Sequence, residues 1–365
     1  MCRVLIIEDE LAAIERFQGL SKGTELTFLS PADVGLAGWA PEETESVEEQ
    51  LAKHLKAQIE QQQIDLVLLD TDLSRGRSLQ PHSSYKAALR ELGMPVCRYQ
   101  KGGTEPPLAR LQQLQRTVRD GASAIWIPKA YVSGDRINGL VPRLIAISRG
   151  FKDILAALRS NPDLLDDKHR HSPADVLASV LGDTDLSYEF LGYAAQNLVY
   201  FAKPEQEVQE QEISKEQRYA TQLGYWLYNY IITFPGPILT APAAAAYLNV
   251  LPDELEARED FSSLVGRAHY QGPFDQVEPY FWRTRLIALL DESNGDLATH
   301  ESITGAALRR VDSNNAGDPT FVCMITGEAI TQDQSATSPD WVPSGATEAK
   351  IKEEVLDELG PLAGI

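Results

Sequence analysis

Residues 64–72 read Ile64-Asp65-Leu66-Val67-Leu68-Leu69-Asp70-Thr71-Asp72, and this stretch decides the fold of the first half of the chain. Its apolar run is of strand length and ends on an acid, with a second acid two residues on. A strand that is apolar on both faces belongs in a sheet covered on both sides. Residues 3–7 (RVLII) form a similar run, followed at once by Glu8, Asp9 and Glu10. Further runs lie at 25–29 (ELTFL), 94–99 (MPVCRY) and 124–127 (AIWI), the last meeting Pro128 and Lys129. Between and after them the spacing predicts helices, beginning with Leu11, Ile14 and Phe17 or Leu20 on one stripe. Others are expected at 48–62, 84–92, 108–118 and 139–148. Strands alternating with amphipathic helices imply an α/β domain around a five-stranded parallel sheet.

The carboxyl ends of the strands in such a sheet share one edge, and ligands bind there. The first strand brings Glu8 and Asp9 to that edge, the third brings Asp70 and the last brings Lys129. Three convergent carboxylates repel one another unless a cation joins them. Mg²⁺ suits them, because it takes one or two protein carboxylates and leaves places for phosphate oxygens and water. A lysine close by can offset charge on a transferring phosphoryl group, and a carboxylate is a competent acceptor for it.

The motifs LIIEDE, LVLLDTDL and IWIPKAY, in that order over about 140 residues, resemble those of response-regulator receiver domains. The resemblance implies a flavodoxin-like, doubly wound fold over 1–150 and a two-component signalling function. It matches Asp70 to the phosphoacceptor and Glu8 and Asp9 to the acidic pair. The backbone carbonyl of Asp72 matches the third protein ligand of Mg²⁺, and Lys129 the lysine that contacts the phosphate. The implied partner is a histidine kinase or phosphotransfer protein, with a possible homodimer through about 108–150. Two positions depart from the family. Gln100 stands where a Thr or Ser hydroxyl usually relays the switch, and Ala130 replaces the proline after the lysine. Trp126 holds the aromatic switch position. Long loops are expected at 31–47, 74–83 and 101–107. A degenerate receiver that keeps its acids for the sake of the fold is the alternative.

Charge separates the two parts of the chain. Residues 1–150 carry 18 Lys and Arg against 19 Asp and Glu, whereas the remainder carries 15 against 34. So acidic a second part repels polyanions, which argues against nonspecific nucleic-acid binding. The three cysteines, Cys2, Cys97 and Cys323, are too few and too scattered for a disulfide framework or a CxxC zinc site, which fits a reducing cytoplasm. Neither a signal peptide nor a membrane-spanning run is expected.

Residues 151–171 read as a linker helix and polar loop, and 172–365 as a mainly helical output domain with a small β element. Asp166, Asp167, His169 and His171 lack partners at helical spacing and read as a solvated loop. Helices are expected at 173–201, 219–232, 280–290 and 347–359, and a strand at 321–325. The aromatics Tyr225, Trp226, Tyr228 and Tyr230 read as core, with a partner-docking face as the alternative. Residues 239–255 (LTAPAAAAYLNVLPDEL) resemble the first helices of excisionase-like or winged helix-turn-helix modules, with Thr240 as cap. The second helix of such a reader would be acidic here, so a helical pair without DNA contact is favoured over a regulator using 239–259. No catalytic motif occurs in this part, and the expected output acts through protein–protein interaction.

Overall fold

The computed structural model describes residues 1–42, 46–73, 79–102, 107–166, 171–194 and 214–360. The chain divides into two compact units that interleave along the sequence. One takes Met1–Thr104, Asp120–Arg170 and Tyr200–Tyr225, the other Glu105–Arg119, His171–Val199 and Trp226–Ile365.

The first unit is built on strands β1 (Cys2–Ile7), β2 (Leu26–Leu29), β3 (Leu66–Asp70), β4 (Val96–Tyr99) and β5 (Ile125–Trp126). They pair in parallel in the order β2-β1-β3-β4-β5, so β3 is central. Every residue of β3 is buried, as a strand covered on both faces requires. The two-residue period sends Leu5, Ile7, Val67 and Leu69 into one layer with Leu51 and Leu55 of α2 (Val47–Gln62) and Tyr85 and Leu89 of α3 (His82–Glu91). Ser46 starts α2 by accepting the Glu49 amide, and Gln63 ends it in the left-handed region. The expected loop after β2 contributes to the core, since Val34 and Leu36 are buried in the same layer and His54 Nε2 lies 2.8 Å from the Val34 carbonyl.

Two helices of this unit differ from expectation. The helix expected to end near 148 continues unbroken as Leu140–Ser160, burying Phe151, Ile154 and Leu158. The helix Lys215–Trp226 returns to the start of β4 through Thr221 and Tyr225. Thr221 donates to the Gly93 carbonyl at 2.7 Å, and the Tyr225 hydroxyl accepts the Val96 amide at 2.7 Å. Gly224 permits this approach, because a Cβ there would lie 2.4 Å from the Phe151 ring.

The second unit is mostly helical, with small antiparallel two-stranded sheets. Helix Pro107–Asp120 buries Leu111 with Phe321, Cys323, Ile325, Ile330 and Ile351. That helix belongs to the face expected to pair two copies. Ser172 and Asp175 form a capping box on Pro173–Val180. The helix expected over 280–290 begins as a strand, Tyr280–Trp282, paired with Ile238–Thr240, and is helical from Arg283 to Glu292. Three bulky aromatics in succession bury better on a strand than on one helical stripe. The terminal helix is shorter than expected, Glu353–Leu359, because Ile351–Lys352 pairs with Ser335–Ala336. The expected strand at 321–325 is confined to Phe321–Val322, and Gly327 turns the chain at φ 76°. The aromatics from Tyr225 to Tyr230 are buried, as read from their spacing.

Candidate acidic pocket

The edge formed by the carboxyl ends of β1, β3 and β4 gathers buried charge. Asp70 ends the central strand and is 1% exposed, and Glu8 follows β1 and is equally buried. Asp9 is half-buried beside it. The Asp72 amide donates to Asp70 Oδ1 at 3.0 Å, while the Asp72 residue itself is exposed. Tyr99, the last residue of β4, donates its hydroxyl to Glu8 Oε2 at 2.5 Å. The Glu10 amide donates to Glu8 Oε1 at 2.9 Å.

The lysine among these acids is Lys101. Its Nζ lies 2.9 Å from Glu8, 2.7 Å from Glu10 and 3.4 Å from Asp70 Oδ2. Lys129 opens a short helix, Lys129–Val132, and makes no ion pair among the described residues. Its Nζ would lie 3.8 Å from a Cβ placed on Gly102. The structure thus brings together Glu8, Asp70 and the Asp72 backbone, and it places Lys101 ahead of Lys129 as the ammonium in the pocket. The sequence held a signal for Lys101. It stands two residues beyond Tyr99, just past the end of β4, at the edge where the acids of the neighbouring strands gather.

The positions expected to switch lie apart from these contacts. Gln100 is exposed at the end of β4. Trp126 ends β5 opposite Arg98, half-buried, and its Nε1 has no hydrogen-bond partner among the described residues.

Burial pushes the Asp70 carboxyl up to about 6; the neighbouring negative charge of Glu8 adds to this, and the Asp72 amide and Lys101 oppose it. Burial pushes Glu8 upward as well, but hydrogen bonds from Tyr99 and Lys101 hold it below the ordinary carboxylate range. The pair is therefore pushed apart, with Glu8 as the acid that stays ionised and Asp70 as the one that titrates nearer neutrality.

Carboxylates and a backbone carbonyl are the oxygen donors that Mg²⁺ takes. In this fold an ammonium stands among them instead. Among the described residues no three His, Cys, Asp or Glu side chains are grouped so as to hold a metal ion.

A cavity of about 540 Å³ lies at the opposite edge of the sheet, where β3 and β4 begin. Ile64, Met94, Pro95, Phe151 and Leu155 form much of its wall. Its neighbouring charges are spoken for in part, since Lys152 pairs with Asp65 at 2.7 Å.

In the second unit the segment that resembles a helix-turn-helix does not form a continuous second helix. Ala241–Tyr247 is followed by Glu254–Ala257 and Glu259–Val265, which are separated by Arg258 in an extended conformation. Thr240 occupies the cap position, but its side chain makes no capping hydrogen bond. Asn249 ends the first helix in the left-handed region and donates to the Asp312 and Asn315 carbonyls. Glu254 is buried and pairs with Arg309. Cys323 is buried, like Cys2 and Cys97. The cluster read at Asp166–His171 falls largely outside the described residues, as do parts of the loops at 74–83 and 101–107 and of the helix at 173–201. No described helix is long and apolar enough to cross a membrane. No protein-family model matches this chain, and no curated protein matches it.

Proposed function

We propose that the first unit is a receiver-type signalling module, flavodoxin-like and doubly wound, in which Asp70 accepts a phosphoryl group and thereby controls the acidic second unit. The observation that carries this reading is Asp70 at the carboxyl end of the central strand, facing Glu8 from the adjacent strand and an ammonium 3.4 Å away. A carboxylate oxygen of Asp70 attacks phosphorus, the phosphorus–nitrogen bond of a donor phosphohistidine breaks, and the imidazole leaves with a proton. A donor of this chemistry is a histidine kinase or phosphotransfer protein. With its carboxyl at about 6, Asp70 is mostly ionised at neutral pH and above, the form that attacks. Lys101 and Lys129 are the cations at hand to offset the incoming charge. The excess of acids in the second part, together with the break at Arg258, supports a protein rather than DNA as the output target.

A second reading, a degenerate receiver acting as an interaction scaffold, is favoured by the ion pairs that Lys101 makes with the acids and by the exposed Gln100. Incubation with a small phosphodonor, with and without Mg²⁺, followed by intact-mass measurement, separates the two. One labile phosphoryl group on the wild type, absent from Asp70→Asn, is the expected result. No gain under conditions that label an ordinary receiver establishes the scaffold reading.

A further inference from the structure

The acids at the sheet edge already have a cation. Lys101 Nζ meets three carboxylates at 2.7 to 3.4 Å, on Glu8, Glu10 and Asp70. Its side chain is 23% exposed, and those of Glu8 and Asp70 are nearly inaccessible. The loop that carries it is tied down immediately afterwards. The Gly102 amide donates to Ser133 Oγ at 3.3 Å, and that hydroxyl lies 3.2 Å from the Gly102 carbonyl as its donor. Gly102 sits at φ +138°, a conformation that L side chains rarely adopt, so the tie needs glycine there. The Tyr99 hydroxyl donates to Glu8 Oε2, the same oxygen that Lys101 Nζ approaches to 2.9 Å, and so fixes the carboxylate that meets the lysine.

We infer that Lys101 is the resident cation of this pocket, its ammonium standing where a receiver-type pocket would take a divalent metal, so that the folded chain neutralises its own acids and excludes Mg²⁺. The comparison with a metal-holding pocket rests on the receiver reading; the ion pairs do not. A tethered ammonium competes at an effective concentration set by its short tether, which dissolved Mg²⁺ at millimolar levels must exceed. Mg²⁺ also gives up its water reluctantly, which favours the ammonium further. Entry of a metal requires Lys101 to swing out, which connects occupancy of the pocket to the Gly102–Ser133 tie and hence to the helix starting at Lys129.

Calorimetric titration of the full-length protein with MgCl₂ tests this, using wild type, Lys101→Met and Lys101→Arg. Wild type and Lys101→Arg are expected to show no saturable binding at low millimolar Mg²⁺. Lys101→Met is expected to bind roughly tenfold tighter or better, having lost its competitor. Wild type binding as tightly as Lys101→Met overturns the inference, and so does absence of binding in all three. If Lys101→Met does not fold alone, recovery of its melting transition on adding MgCl₂ supports the inference, and failure to recover overturns it. Labelling of Asp70 is scored separately. A wild type that excludes Mg²⁺ and takes no phosphoryl group keeps this inference and loses the receiver function. One that is labelled and binds Mg²⁺ tightly does the reverse.

Discussion

The two units handle negative charge in opposite ways. The first unit gathers Glu8, Glu10 and Asp70 around one ammonium, with two of the carboxylates buried at the ends of adjacent strands. The second unit pairs its acids with arginines, one or two acids to each, mostly at partly or fully exposed positions. Arg283 reaches Glu189 at 2.7 Å and Glu348 at 3.3 Å, and Arg267 holds Glu292 through two hydrogen bonds of 2.8 Å. Arg258 likewise pairs with Asp260, and Arg310 with Asp296. Acids paired singly stabilise or are neutral, whereas acids that share one cation in a buried place leave one of them hard to ionise. Such an imbalance is what a site can use.

The largest test of this contrast is Asp70→Asn. A carboxyl raised from 3.8 to about 6 in the folded state makes folding progressively less favourable as pH rises from 4 to 6. Below that window both states are protonated and the cost is absent. Asp70→Asn is therefore expected to be more stable than wild type above pH 6, by up to about 3 kcal/mol, with the gap closing towards pH 4. Denaturant unfolding of both proteins at a series of pH values measures it. Equal stabilities throughout would mean that Asp70 is not held in a disfavoured charge state.

In the second unit the same kind of change has the opposite sign. Arg283→Met removes the partner of two partly buried carboxylates and the hydrogen bond to Thr347, and is expected to destabilise by about 2 kcal/mol after allowance for solvent screening. Thermal melts at low and high salt check this, because the loss should shrink as salt screens the freed acids. The smallest effect is expected at Arg267→Ala. Its pair with Glu292 is exposed, and the melting temperature should hardly move. A large loss there would erase the distinction between isolated pairs and a shared cation.

A change outside the charges tests the packing within the first unit. Gly224→Ala puts a methyl where the Phe151 ring passes, 2.4 Å away, and should unlatch the helix that satisfies the start of β4. Faster amide exchange at Val96, whose N–H is held by Tyr225, is the specific readout, and unchanged protection would break the argument.

The sequence by itself determined the alternation of strands and helices in the first unit, and with it the placement of Glu8 and Asp70 at one edge. Strands buried on both faces need unbroken apolar runs, and an acid directly after such a run has nowhere to go but the strand end. It also made the aromatics from Tyr225 to Tyr230 core, since so much apolar surface at helical spacing is costly to expose. Tertiary structure decided the rest. Which lysine meets the acids depends on the path of the chain after β4, and Lys101 reaches Glu8 across 93 positions of sequence. Helix Pro107–Asp120 is helical by its own pattern, but its burial with Phe321 and Ile351 depends on contacts more than 200 residues away. The return of Thr221 and Tyr225 to β4 was likewise invisible, because an amphipathic stripe records that a face is buried without recording what buries it.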